Sequence, residues 1–426
     1  MSLAGQSGYK ETEVGWIPGD WRCEPLGGHI SMLTGAPFKS ELFSSSEGVP
    51  LIRIRDLLRG FSETGYVGEY DERYIVNTGD VLVGMDGEFH VVRWKGSRAL
   101  LNQRVLKISH RPGLSDLGFL FFLVAAAIGK IQDGISATTV KHLSTKDLQS
   151  LMAALPPLPE QQKIAAILSA VDDKLDVIAR QIEATQTLKR GLMQTLFSRG
   201  VGTQDADGRW VPHAQFKDSD LGTIPAAWGV SPIGSLFEVV ERAVRMADEQ
   251  SYRRVTVKRR YGGIELRDEL RGSDIKVKSQ FALEAGDFLI SERQIVHGAC
   301  GIVPKGLAGA LVSNEYLVLK ARPSVDVRYF NYLVQQLKYA KYFMLCSQGV
   351  DIEKFLFKPK DWLKKPVPVP PVAEQARIAD VLATTDEKLN ALRAKLDELQ
   401  QMKRGLMQKL LTGEWRVSVD TSAAGT

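Results

Sequence analysis

Residues 156–197 read "PPLPEQQKIAAILSAVDDKLDVIARQIEATQTLKRGLMQTLF", and residues 370–411 read "PPVAEQARIADVLATTDEKLNALRAKLDELQQMKRGLMQKLL". From Glu160 to Phe197 against Glu374 to Leu411, 16 of 38 positions are identical, including an unbroken "KRGLMQ" at Lys189 and again at Lys403. In the first copy Ile164, Leu168, Val171, Leu175, Ile178 and Ile182 are spaced 4-3-4-3-4. In the second, Ile378, Leu382, Thr385, Leu389, Leu392, Leu396 and Leu399 continue that spacing. Leu188, Leu192 and Leu196, with Met402, Leu406 and Leu410, are read as extending the stripes. Such spacing is a heptad seam with charged flanks. The Pro-Pro before each copy punctuates a helix start. A helix over 160–198 is ~58 Å long at ~1.5 Å per residue. A narrow seam must bury itself against another helix, and the other copy is the available partner. The two helices could pack parallel or antiparallel; antiparallel pairing is favoured, and the alternative to pairing is each helix packing on its own domain. The antiparallel pair gives an internal two-fold axis, with a globular domain at either end.

The duplication extends outward from the helices. "GWIPGDWRCEPLG" begins at Gly15 and "GTIPAAWGVSPIG" at Gly222, an offset of 207. Gly79-Asp80 recurs as Gly286-Asp287 at the same offset. "SDLGFLFFLV", ending at Val124, aligns with "VDVRYFNYLV", ending at Val334, at offset 210; Lys146-Asp147 recurs as Lys360-Asp361 at 214. The drift is that of small loop insertions. The expected organisation is a first globular domain over 1–155, a long helix over 156–200, a second globular domain over 201–369, a second long helix over 370–413, and a flexible tail over 414–426. The fold class is α/β (α+β). "VPLIRIRDL" (49–57), "NQRVLKI" (102–108) and "ALVSNEYLVL" (310–319) have strand composition. Residues 116–132 and 325–345 are apolar and long enough for helices.

The 426 residues are 44% apolar and 25% charged, which places the chain among globular proteins. Cys23, Cys300 and Cys346 are scattered, so neither a disulfide framework nor a zinc knuckle is indicated, and a reducing cytoplasm fits. The N-terminus carries Glu11 and Glu13 without an apolar segment, which does not read as a signal peptide. The longest uncharged apolar run, 117–129, is short of the ~20 residues that span a bilayer, so no membrane partner is expected. Residues 251–280 hold nine Lys/Arg against four Asp/Glu, a surplus of five that equals the net charge of the whole chain. A local basic stretch is an electrostatic footprint for phosphates.

No P-loop, HExxH, paired CxxC or GxSxG occurs, and no Asn/Asp-Pro-Pro-Tyr/Phe tetrapeptide of amino-methyltransferases. Asp172/Lys174 and Asp386/Lys388 imitate a nuclease triple, but they fall inside the helices and read as a solvated face. The chain therefore does no chemistry alone, and a metal site is not expected. Readers of double-stranded DNA need Lys and Arg for phosphates, and Arg, Lys, Asn and Gln for base edges. The first half offers Arg53, Arg55, Asn102, Gln103, Arg104, Lys141 and His142, together with the segment "GMDGEFHVVRW" (84–94). The second half offers Arg253, Arg254, Lys258, Arg259, Arg260, Arg293, Gln294, His297, Asn314, Lys354 and Lys358. Many follow Gly-Asp turns. The rival reading is a coiled-coil adaptor with two protein-binding domains.

The paired "G-x-I-P-x-x-W" openings, the "G-D-V/F-L" strands, "TTVKHLSTKDL" running into "PLPPLPEQQKIAAIL", and two heptad helices carrying "KRGLMQ-x-L" resemble the specificity (S) subunit of type I restriction-modification systems. The resemblance covers nearly all of residues 9–412. It implies two target recognition domains, each binding one half of a bipartite asymmetric DNA target, and helices that set the spacer. It also implies docking of two methyltransferase (M) subunits, which use S-adenosylmethionine to methylate adenine N6. Two restriction (R) subunits would add ATP- and Mg-dependent endonuclease activity. On this resemblance the subunit itself binds no cofactor and works in the bacterial or archaeal cytoplasm. "PPVAEQ" in place of "PLPEQ" is the second copy's small departure from the family pattern.

Overall fold

The computed structural model describes residues 7–87, 89–134, 143–349 and 355–418. The chain divides into two compact units, residues 1–180 with 394–426, and residues 181–393. Both long helices form, over Leu158–Arg199 and Val372–Leu410. Each is shared between the units, so they are not separate spacer modules. The first half of one helix and the last part of the other belong to the same unit.

Each unit has the same strand plan. In the first, a four-stranded antiparallel sheet runs in the order Val91–Arg93, Val81–Gly84, Val105–His110, Ile30–Thr34. In the second, Cys300–Ile302, Phe288–Ser291, Tyr316–Ala321 and Phe237–Val239 repeat that order. A second sheet in each unit holds one parallel pair, Ala99–Leu101 beside Val49–Ile52 and Leu311–Ser313 beside Ser251–Val257. The Gly-Asp motif makes the tight turn into the central strand. Gly79 and Gly286 take positive φ (95° and 89°), and Asp80 and Asp287 accept the N–H of Asn77 and Glu284 at 2.8 Å.

Three expected elements differ in detail. Strand 49–57 stops at Ile52, because Arg53 and Asp56 close a capping box on the short helix Ile54–Asp56. The 310–319 run is two strands hinged at Asn314 and Glu315. The 325–345 helix breaks into Val327–Leu333 and Leu337–Leu345, with Gln336 extended at the break and its amide donating to the Met193 carbonyl (3.1 Å). Its counterpart in the first unit, Leu117–Gly134, is continuous. Among the described residues no helix is long and apolar enough to cross a membrane.

The helices pair antiparallel. Asp172 meets Lys403 (2.6 Å) in the first unit, and Lys189 meets Asp386 (2.5 Å) in the second. Moving 17 residues forward along one helix moves the contact 17 back along the other. The two pairs are also each other's repeat, with Asp and Lys exchanging helices. Asp172 and Asp386, read as a solvated face, are thus spent on the helix pairing. Each lysine also lies over a ring of its unit's apolar helix, Lys403 over Phe122 and Lys189 over Tyr332 (both 5.5 Å).

The seam follows strict 4-3 spacing through Thr185, Lys189, Leu192 and Leu196, and through Leu399, Lys403, Leu406 and Leu410. Leu188 and Met402 sit one step off it and are exposed (55% and 45%). At each lysine the aliphatic stem covers the seam and the ammonium reaches out to its aspartate. The helix ends do more than pair. Ile164, Ala165 and Leu168, with Leu410 and Leu411, join the first unit's core around Trp21 and Phe119; Ile378, Ala379 and Leu382, with Leu196 and Phe197, join the second around Trp228 and Phe330.

The "EQ" of each helix start explains the matched openings. Glu160 and Glu374 are buried, and accept from the indoles of Trp21 (3.0 Å) and Trp228 (2.8 Å). Gln161 accepts the Asp116 N–H and donates to the carbonyl of Pro156 (both 2.9 Å); Gln375 does the same with Asp326 and Pro370 (both 2.8 Å). The remaining glutamate lone pairs are met by the chain that follows the other helix. For Glu160 this is Arg416, which also grips Asp20 and holds that carboxyl below its usual range. For Glu374 it is the N–H groups of Val201 and Gly202, with His213 at 2.9 Å. A Cβ at Gly200 would stand 2.1 Å from the Glu374 carboxylate, so only glycine fits there. Residues 414–417 are therefore anchored rather than a flexible tail, and Val417 packs on the first unit's core.

Lys403→Asp should lower the melting temperature, and adding Asp172→Lys should recover part of the loss, with a coupling of about 1–2 kcal/mol in a double-mutant cycle. Additive effects would mean that the ion pair does not hold the register.

Candidate nucleic-acid interface

In each unit the loop after the Gly-Asp strand meets the tip of the neighbouring hairpin through one equivalent backbone bond. Met85 N–H donates to the Arg104 carbonyl (2.9 Å), and Glu292 N–H donates to the Glu315 carbonyl (3.0 Å). Beside that bond lies an ion pair whose sign is reversed between the units. In the first, the loop carries Asp86 and the tip carries Arg104 (3.2 Å); in the second, the loop carries Arg293 and the tip carries Glu315 (2.6 Å). Arg104, Arg293 and Glu315 are exposed. One scaffold thus presents opposite charge at the same place.

The second unit adds a third loop. The hairpin of Ser251–Val257 and Ile264–Arg271 turns through Arg260 and Tyr261, both left-handed (φ 58° and 56°). Non-glycine residues rarely take that conformation, and each costs about 1 kcal/mol or more. Contacts with the Gly-Asp loop hold them there. Arg260 N–H donates to the His297 carbonyl (2.7 Å), and Tyr261 N–H to the Gly298 carbonyl (2.8 Å). Arg259 Nε donates to Gln294 Oε1 (2.7 Å). The Tyr261 hydroxyl donates to the Val334 carbonyl (3.3 Å), and burial pushes its phenol up to about 12, so it stays a neutral donor. A Cβ on Gly298 would lie 3.0 Å from the Tyr261 ring, so glycine lets the ring lie flat on the loop. The result is a fixed basic rim of Lys258, Arg259, Arg260 and Arg293, with Gln294 and Asn314 alongside. Lys258 is balanced by Glu265 (2.5 Å), and Asn314 is exposed at the tip.

The other sequence candidates separate by what holds them. Arg254 is bidentate to Asp268 (2.8 and 2.7 Å), which raises the guanidinium and lowers the carboxyl. Arg253 donates to the carbonyls of Gly306 and Ala308 (both 2.9 Å) and fastens a turn. Arg53 is committed to Asp56 and Thr64. Asn102 is buried under the hairpin, while Gln103 and Arg55 are exposed, Arg55 with no ion pair among the described residues. Lys358 is half-buried, and its N–H donates to the Cys346 carbonyl (2.7 Å). Lys141, His142 and Lys354 lie outside the described residues. Sequence reasoning missed Glu315 and Tyr261, and reached Asp86 only as part of the 84–94 segment. A tyrosine between a basic run and Gly-Gly was the signal for Tyr261.

Two domains of one topology, each ending on a half-share of an antiparallel helix pair and carrying charged loops, define a duplicated two-domain protein. Residues 18–186 and 225–401 each match the family model of the type I restriction modification DNA specificity domain, and the chain belongs to that family. It is similar to the EcoBI specificity subunit of Escherichia coli, 39% identical over 182 residues, 42% of this chain and 37% of that one. It is similar along its length to the MjaVIII specificity subunit of Methanocaldococcus jannaschii, 24% identical with 98% of both chains covered. The fold resembles a solved type I restriction-modification S subunit from M. genitalium, with a TM-score of 0.60 at 16% identity over 96% of this chain and 99% of the other.

Tyr261→Ala should free the strained tip without disturbing the sheets. Affinity for target duplex should fall about tenfold, equivalent to ~1.4 kcal/mol, and Tyr261→Phe, which keeps the ring on the core, should retain most of it. Full affinity in the alanine variant would remove this tip from the interface.

Proposed function

We propose that this specificity subunit reads a bipartite, asymmetric target in double-stranded DNA, one half per unit. The supporting observation is the reversed ion pair: Asp86 with Arg104 against Arg293 with Glu315. An arginine on a loop suits guanine O6 and N7, whereas an acid suits the cytosine amino group. Unlike charge on like scaffolds suits unlike half-sites. The subunit supplies recognition and assembly. Two M subunits bring S-adenosylmethionine and flip and methylate the adenines, and two R subunits bring ATP- and Mg-dependent cleavage. The work is cytoplasmic.

The test is the methylated motif in cells expressing the chain with its cognate M subunit. Replacing residues 25–150 with those of another family member should change one half-site and leave the other. Arg293→Ala should relax one position of the other half, costing about 1–3 kcal/mol there. A motif in which both halves change together would sink the reading.

The helices are proposed to set the spacer. Leu196 and Phe197 belong to a unit core, so lengthening belongs at mid-helix, after Arg180 and after Arg393. Seven residues in each preserve the heptad and add ~10 Å. At ~3.4 Å per base pair the preferred spacer should grow by about three base pairs. An unchanged spacer at full activity would hand that role to the M subunits.

A further inference from the structure

The loop that follows the Gly-Asp strand of the second unit carries an acid with nothing to hold. Glu292 is half-buried, and among the described residues neither a hydrogen bond nor an ion pair engages its carboxylate. Burial alone pushes that carboxyl above its usual range. The acids around it are matched. Arg293, the next residue in the chain, turns to Glu315 (2.6 Å). Lys258 takes Glu265 (2.5 Å), Arg254 takes Asp268 (2.7 Å), and Arg242 takes Asp287 (2.7 Å). A carboxylate withdrawn from water without a donor is unfavourable, and such a group calls for one.

The scaffold does not require an acid at this place. Glu292 N–H donates to the Glu315 carbonyl just as Met85 N–H donates to the Arg104 carbonyl in the first unit, so the two positions are equivalent. Met85 is buried and belongs to its unit's apolar core. The same backbone position thus holds a core methionine in one copy and a carboxylate in the other. Packing explains the methionine. The carboxylate needs a donor that the described chain does not supply.

The surroundings narrow what that donor is. Arg259, Arg260 and Arg293 are exposed on adjoining tips, and the Arg260 and Tyr261 N–H groups tie their tip to this loop at His297 and Gly298. Such a rim attracts phosphates, whereas a carboxylate repels them. An ionised carboxylate only accepts hydrogen bonds. In the major groove the amino groups of cytosine and adenine donate, while guanine O6 and thymine O4 present a second acceptor.

We propose that Glu292 is a specificity-determining residue of the second unit: its carboxylate accepts from the exocyclic amino group of a cytosine or adenine and excludes the keto bases, guanine and thymine, from that position. This rests on the half-site reading proposed above.

Two variants test it. Glu292→Gln keeps the shape and adds an amide donor, so a keto oxygen becomes acceptable. Glu292→Met restores the residue of the first unit, removes the unpaired charge, and should not lower the melting temperature. Each full-length chain is expressed with its cognate M subunit, and the methylated motif is sequenced. The half-site to follow is the one that stays fixed when residues 25–150 are replaced. In both variants, methylation of sites with guanine or thymine at one position of that half should rise at least tenfold relative to sites with the wild-type base. The other half should not change. An unchanged motif at an unchanged rate in both variants would overturn the assignment. So would an equal loss at every site, which would give the carboxylate to the fold or to a basic group of a partner subunit. A wild-type motif without two separable halves would overturn the half-site reading itself, and this inference with it.

Discussion

A buried carboxylate is the constraint on which each unit depends. Taking an ionised glutamate out of water costs several kcal/mol unless donors surround it. Glu160 and Glu374 each collect those donors from far along the chain. The indole comes from the opening motif some 140 residues earlier, at Trp21 or Trp228. The rest come from the segment that follows the other helix, through Arg416 in one unit and Val201, Gly202 and His213 in the other. The donors that follow the other helix reach their carboxylate only when the two helices run antiparallel. One residue per copy therefore ties domain, helix and pairing direction together. The Asp–Lys pairs near mid-helix repeat the message, because a parallel or shifted arrangement would strand both lysines in the seam.

The helices and the duplication were legible because they are periodic. Seven-residue spacing and an unbroken "KRGLMQ" need no tertiary knowledge. The misplacement of Leu188 and Met402 shows the limit of counting apolar letters. Strict spacing puts Thr185 and Lys189 in the seam, and a lysine is read as surface until its stem and its aspartate are both seen. The Gly-Asp and "EQ" signatures were visible as repeats, but their jobs were not. A turn-closing aspartate and a carboxylate under an indole depend on residues brought together only by the fold.

The candidate site was legible in outline and not in detail. Charge density drew attention to 251–280, yet two of its arginines are structural: Arg254 by its bidentate aspartate and Arg253 by two carbonyls. The residues that qualify do so by anchoring. Arg259 and Arg260 are exposed on a tip whose backbone is already fixed, so little ordering entropy remains to oppose contact with DNA. Tyr261 supplies that fixing from beneath, and a sequence census for DNA contacts passes over such a residue because its own side chain faces inward.

Duplication usually frees one copy to drift, and here the drift is partitioned by physics. Positions that meet both their own domain and the opposite helix, such as Glu160, Lys189 and their repeats, serve two packing obligations each. A change in one copy would break a contact in the unit it shares with the other helix. Loop tips carry no such double duty. The backbone bond from Met85 to Arg104 survives as that from Glu292 to Glu315, while the side chains beside it have exchanged sign. Helices whose ends are locked by buried carboxylates leave the loop tips free to change one copy at a time, which suits the two-half reading proposed above.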